Sequence, residues 1–236
     1  MTVRPFADLV PVRPRPDDPA GLVAIGGRIT PELLIAAVPL GIFPWTGRDP
    51  IPWCSPSPRA VFSPGAIRVP RSLRKSLRNR GYQVTYDRAF EAVVRACAET
   101  PRPGQPGTWI TPNLVSAWTT LHARGVYHSV EVWLDDDLVG GLLGMALGGA
   151  FLGDTMFHRE RDASKVGFVS LCNDLHKAGY RLVDGQASTG HLASLGARPV
   201  PRMEYLALIK QALQLSATPA AWDAGIPAIR HARSVF

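Results

Sequence analysis

In the run YRLVDGQ, Asp184 and Gln186 stand two residues apart at the end of what reads as a β-strand. Alternate residues of an extended chain project to the same face, so a carboxylate and an amide share one side. In open α/β sheets, ligands gather at the carboxyl ends of strands. The pair suits a proton acceptor or an amine-binding site; it equally suits a strand-end Asp that makes turn hydrogen bonds. A second carboxylate, Asp154, interrupts the apolar run AFLGDTMF. If buried, it needs a cation or donors around it and could receive a substrate amine; if partly exposed, it is an ordinary strand position. A third concentration is cationic. In VPRSLRKSLRNRGY, Arg71, Arg74, Lys75, Arg78 and Arg80 surround Leu73 and Leu77 with no acid among them. A helix there would pack by its two leucines and offer cations to phosphates, or form a solvated face.

Other chemistries find less support. The cysteines Cys54, Cys97 and Cys172 are far apart, odd in number and never in a Cys-x-x-Cys pair. That fits a reducing cytosol better than a disulfide framework or a zinc knuckle. His122 and His128 straddle a helix end, and His158, His176 and His191 fall on separate elements, so no metal site is expected. No nucleophile elbow is present. Gly140-Gly141 and Gly148-Gly149 sit in or between strands and open no helix, so no nucleotide cofactor is expected. The N-terminus has no signal-peptide core, and the longest apolar run, Leu138 to Leu152, is too short and too rich in glycine to span a bilayer. A cytoplasmic protein is expected. The formal net charge of +7 favours a polyanion as partner, nucleic acid foremost, although a merely basic enzyme also fits.

These residues need a frame. The chain has 236 residues, 46% of them hydrophobic, enough for one large domain or two small ones. Residues 1–20 carry five prolines and read as an extended arm. Thr30 caps a short helix that Pro39 and Gly41 stop. Residues 43–64 alternate proline and tryptophan without period and read as a structured loop with buried aromatics. Helices follow at 71–80, from an Asp87 cap, and from Thr111-Pro112 to Gly125. SVEVWL, LVGGLLGMAL and AFLGDTMF, joined by short links, read as an antiparallel meander. A helix from Asp162 to Ala178 and the strand YRLVDGQ then make a βαβ unit, with the last strand parallel to its partner. Meander, helix, parallel strand is the core order of GCN5-type acetyltransferases, an analogy of fold that does not fix chemistry.

Blocks along the chain carry a more specific likeness: GLVAIGGRITPELLIAAVPLGIFPW, DPIPWCSPSPRAVF, GTWIT, SVEVW, LVGGLLG, FLGDTMF, ASK, and DGQ followed by HLASLGA. In this order and spacing, from about residue 20 to 211, the chain resembles the leucyl/phenylalanyl-tRNA–protein transferases. The resemblance implies transfer of Leu or Phe, sometimes Met, from aminoacyl-tRNA to acceptor proteins that begin with Arg or Lys, which marks them for degradation. It implies an α+β fold in which a small N-terminal α/β domain, 1–62, packs on a GCN5-related acetyltransferase-like domain, 63–236, in a monomer without cofactor. Trp45, Trp109, Leu142 and Phe151 match positions lining the aminoacyl pocket. Asp154 and Gln186 match positions near the acceptor amine, and Asp184 matches the proposed catalytic carboxylate, acting as base or as electrostatic stabiliser. Arg71, Arg74, Lys75 and Arg78 correspond to the tRNA-contacting cluster. Four positions depart from the family: Asp154 stands where Glu is usual, Leu142 for Met, Gly185 for a bulkier residue and Thr189 for Asn. Two other readings remain: an acyl-CoA-dependent N-acetyltransferase, against which HRERDASK offers no Gly-rich pyrophosphate loop, and a non-catalytic tRNA-binding protein.

Overall fold

A computed structural model of the chain describes residues 6–12, 18, 20–101, 107–216, 222 and 230–232. Most of the expected proline arm, and the centre of the expected loop at 101–107, lie outside them. The chain begins with β1 (Leu9–Pro11) and β2 (Leu22–Gly26), followed by α1 (Pro31–Ala37). The Thr30 hydroxyl accepts the Leu33 N–H at 3.1 Å and caps α1. Next come β3 (Phe43–Pro44), β4 (Pro52–Cys54) and β5 (Arg59–Phe62). The stretch expected as a loop therefore holds three short strands. Pro52 opens its strand, where a missing N–H costs least.

The basic segment forms α2 (Arg71–Asn79), which leads into β6 (Gln83–Tyr86), α3 (Phe90–Glu99) and α4 (Pro112–Ala123). Asp87 does not cap α3. Its carboxylate instead accepts the Ser129 N–H at 2.8 Å and meets His128 Nδ1 at 2.7 Å, with its own backbone at φ 55°. Then come β7 (Tyr127–Leu134), β8 (Asp137–Leu147), β9 (Ala150–His158), α5 (Ala163–Lys177) and β10 (Leu182–Ala187). The chain continues through α6 (Gly190–Ser194), β11 (Arg198–Val200) and α7 (Arg202–Leu213), and β12 (Arg230–His231) comes last.

Among the described residues the strands form two sheets, ordered β1-β2-β4-β3 and β11-β5-β10-β9-β8-β7-β6-β12. The α+β class is as expected, and so are the antiparallel meander β7-β8-β9 and the parallel pairing of β10 with β9. β5 precedes the expected border after residue 62, yet it belongs to the larger sheet, paired with β10 and β11.

Two apolar clusters cover opposite faces of the larger sheet. Leu142 and Phe151 pack with α5 in one; Leu143 and Leu152 pack with α3, α4 and α7 in the other. Neighbours in sequence divide between the clusters because successive strand side chains alternate. Gly144 is part of this fit, since a Cβ there would sit 2.4 Å from the Phe151 ring.

Candidate active site

β9 and β10 run in register as far as Leu152 and Asp184. Beyond that pair, β10 shifts register against β5 between Asp184 and Ala187. Gln186 takes the left-handed conformation, φ 60°, uncommon for a residue with a Cβ. The ladder opens here, and its last side chains turn towards two apolar cavities.

Asp184 is fully buried. Its Oδ1 accepts from Arg59 Nε at 2.8 Å and from the Gln186 N–H at 2.8 Å. Its Oδ2 accepts from the Arg59 terminal nitrogen at 2.6 Å and from the Tyr205 hydroxyl at 2.8 Å. Burial opposes the Arg59 charge, but the paired carboxylate outweighs it and pushes the guanidinium pKa up. Burial, with the Asp184 charge adding to it, holds the Tyr205 hydroxyl well above the usual tyrosine range.

Asp154 stands on the neighbouring strand, half-buried. Gln186 Nε2 donates to its Oδ1 at 2.6 Å, and the Tyr127 hydroxyl donates to its Oδ2 at 2.8 Å. Tyr127 is itself stacked on Trp118, centroids 5.1 Å apart, and buried. Burial pushes the Asp154 carboxyl up to about 6; the Asp184 charge adds to the rise, while Tyr127, Gln186 and Arg59 restrain it. An unbroken line of hydrogen bonds thus runs from Tyr127 through Asp154, Gln186 and Asp184 to Arg59 and Tyr205.

The two cavities measure about 280 and about 260 Å³. They share Trp109, Gly153, Asp154, Gly185, Thr189 and Leu192 in their linings. Of the four expected pocket residues, Trp45 lines the first cavity, with Phe43, Trp118 and Met145. Leu142 and Phe151 line the second, with Phe168. Trp109 alone of the four borders both, so they surround two adjoining spaces rather than one. Asp154 belongs to both linings, Gln186 to the first and Asp184 to the second. Thr189 also caps α6, its hydroxyl accepting the Leu192 N–H at 3.2 Å.

Arg59, Tyr205 and Tyr127 went unnoticed in the sequence. One signal was available, for Arg59: a lone cation in the apolar quartet RAVF, which as a strand must find a counter-charge.

On α2, Leu73, Ser76 and Leu77 are buried, while Arg71, Arg74, Lys75 and Arg78 are exposed. Ser76 donates to Asp162 at 2.8 Å and ties the helix to the start of α5. A crevice of about 500 Å³ beside the helix is lined by Arg71, Lys75, Arg80 and Arg161; Arg74 and Arg78 are not in its lining. Among the described residues, no three His, Cys, Asp or Glu side chains gather as a metal site would need, and no helix is long and apolar enough to cross a membrane.

A family model described as "Leucyl/phenylalanyl-tRNA protein transferase" matches residues 61–210. A leucyl/phenylalanyl-tRNA–protein transferase of Anaeromyxobacter sp. (strain K) is 50% identical over 209 residues, covering 88% of this chain and 90% of its own. The protein of that name from Syntrophotalea carbinolica is 50% identical over 196 residues, covering 83% and 85%. Among solved structures, a GCN5-related N-acetyltransferase from Kribbella flavida aligns with 61% of this chain and 55% of its own, at 15% identity and a TM-score of 0.38.

Proposed function

The chain belongs to the leucyl/phenylalanyl-tRNA–protein transferase family, and on that premise we propose how its residues divide the work of moving an amino acid from tRNA to a protein. It is an aminoacyltransferase. The donor is an ester of the terminal ribose and is already activated, so the reaction needs no further energy source. The acceptor nitrogen attacks the ester carbonyl carbon, the bond from that carbon to the ribose oxygen breaks, and one amine proton ends on that oxygen. A free α-amine has a pKa near ~8, so a group that accepts or shields its proton speeds attack.

In this proposal Asp154 and Gln186 meet the acceptor amine. The observation that carries the assignment is the 2.6 Å contact between Gln186 Nε2, in the lining of the first cavity, and Asp154 Oδ1, on the wall that the two cavities share. A carboxylate has about four acceptor positions. Asp154 uses two of them, on Gln186 and Tyr127, which leaves room for an ammonium. Asp184 accepts four hydrogen bonds. Its part is then electrostatic: it fixes Gln186 and balances Arg59 without taking a proton. A carboxyl titrating at about 6 lies closer to the amine than an ordinary Asp does and suits proton transfer better.

The cavities take the donor's side chain and terminal nucleoside. Trp45, Trp109, Leu142 and Phe151 supply apolar and aromatic contact, and shape selects Leu or Phe, with Met a lesser donor. Arg71, Arg74, Lys75 and Arg78 hold tRNA phosphates. Acceptors begin with Arg or Lys, and the transferred residue marks them for degradation. The enzyme works as a monomer in the cytoplasm, without a cofactor. The test mixes the protein with tRNA charged with labelled Leu or Phe and with peptides beginning with Arg, Lys or Glu, at low salt. Label should reach the first two peptides alone. Failure to label either basic peptide would sink the acceptor assignment.

A further inference from the structure

Gln186 reaches Asp154 from a backbone conformation that its own Cβ disfavours, φ 60°. Something must hold it there, and the surroundings identify it. The Gln186 N–H donates to Asp184 Oδ1 at 2.8 Å. That carboxylate is gripped by both prongs of the Arg59 guanidinium, at 2.8 and 2.6 Å, and by the Tyr205 hydroxyl at 2.8 Å. Arg59 is fixed in turn. Its remaining terminal nitrogen donates to the Gly41 carbonyl at 3.2 Å, and its plane lies over the rings of Phe43, 4.8 Å away, and Tyr205, 4.5 Å away. All three members are buried: Arg59 is 2% exposed, Asp184 0% and Tyr205 1%.

We propose that Arg59 and Tyr205 are positioning residues of the transfer reaction: by saturating Asp184 they lock the Gln186 backbone in its left-handed turn and so hold the Gln186 amide on Asp154. The inference rests on the roles proposed above for Asp154 and Gln186. A buried ion pair that served the fold alone would have no reason to spend an acceptor on a strained backbone N–H. The planar fork of arginine is also required. Lysine would keep the charge but could not bridge both carboxylate oxygens and a carbonyl at once.

Tyr205→Phe decides the matter, because it keeps the ring under the guanidinium and removes a single hydroxyl. With the fold checked by circular dichroism and thermal melting, kcat should fall roughly tenfold or more, the scale expected when a reacting group is slightly misplaced. The KM for aminoacyl-tRNA should stay near that of the wild type. The acid limb of the pH–rate profile should move to higher pH, because a loosened Gln186 no longer restrains the Asp154 carboxyl. Arg59→Lys should lose more, with the same shift of the limb.

Amide hydrogen exchange gives a readout independent of activity. The Gln186 N–H should exchange faster in Tyr205→Phe, while that of Val183, one residue before Asp184, stays protected. If Tyr205→Phe shows wild-type kcat, an unmoved acid limb and unchanged exchange at Gln186, the positioning proposal is overturned. A wild-type enzyme that transfers no label overturns the functional reading instead, and the exchange measurement still decides whether Tyr205 holds Gln186.

Discussion

Replacing Asp184 by Asn exchanges one carboxylate oxygen for an NH2 group and should be among the costliest substitutions in the chain. The carboxylate accepts four hydrogen bonds, two of them from a guanidinium that is 2% exposed. An Asn amide offers one oxygen and one NH2. Wherever the NH2 points it confronts an Arg59 donor, and on the Oδ1 side the Gln186 N–H as well. The Arg59 charge is left buried without its partner. Breaking such a pair from one side costs about 3–5 kcal/mol. At about 2–4 °C per kcal/mol for a chain of this size, melting should fall by roughly 6–20 °C. Urea unfolding near neutral pH, read by fluorescence and circular dichroism, measures the loss directly. The double substitution Arg59→Met with Asp184→Leu should recover part of it, because the two charges leave together while the Gln186 N–H and the Tyr205 hydroxyl still lose their acceptor. A loss below about 1 kcal/mol for Asp184→Asn, or a double variant as unstable as the two single losses added together, would refute the reasoning. The same variant, assayed at a temperature where it is folded, reports on the chemistry. Turnover near that of the wild type would count against Asp184 both as a proton acceptor and as the anchor that holds Gln186.

Four further outcomes are expected. The transfer rate should rise with pH through an acid limb near pH 6 as Asp154 ionises, and Asp154→Asn should abolish the limb and lower kcat roughly a hundredfold. Stability carries the same signature: the unfolded chain releases this proton near 3.8 and the folded one at about 6, so rising pH destabilises the fold between those values, a slope that Asp154→Asn should remove from urea titrations. Arg74→Ala with Arg78→Ala removes two exposed cations, so melting should hold while the salt dependence of tRNA binding flattens by about one logarithmic unit per lost phosphate contact; an unchanged slope moves the tRNA site elsewhere. Cys54, Cys97 and Cys172 are all buried, and burial pushes the Cys54 thiol up to about 11, so a thiol reagent should label the folded protein slowly and reach three equivalents after denaturation; rapid labelling of the native protein would contradict the packing.

The meander, α5 and parallel β10 were legible in the sequence because each announces itself locally. Alternation, short Asp and Gly links, and a helix-length crossover leave few other arrangements. β3, β4 and β5 were not. They are two to four residues long, rich in proline, and exist only through pairing; β5 lies against β10, across more than a hundred residues of chain. Asp87 resembled a helix cap by position, but its carboxylate is claimed by Ser129 and His128 from a neighbouring strand. The site divides the same way. Asp184 and Gln186 stood out as polar groups at the end of an apolar strand, and Asp154 as a carboxylate interrupting one. Tyr127 and Tyr205 meet them from 27 and 21 residues away, and Arg59 from 125, distances at which spacing carries no signal. Trp45 and Phe151 were assigned to one pocket through the resemblance alone; in the structure they line two adjoining cavities.

The resemblance implies a Glu where Asp154 stands and a bulkier residue where Gly185 stands, and the two differences make sense together. An Asp carboxylate sits one methylene closer to its own strand than a Glu carboxylate would. The gap is closed from the other side. Gln186, turned into the left-handed region, extends its amide to 2.6 Å from Asp154 Oδ1, and Tyr127 holds the other oxygen at 2.8 Å. Neither contact leaves slack. Gly185 fits the same turn. A Cβ there would meet the Leu192 methyl at 3.0 Å and the Phe62 ring at 3.3 Å. A bulkier residue would displace Leu192, which borders both cavities, or drag the strand end off β5. The shorter acid, the left-handed glutamine and the small residue between the two β10 partners therefore act as one adjustment. In it the strand end moves towards the carboxylate, where a longer acid would have reached towards the strand end.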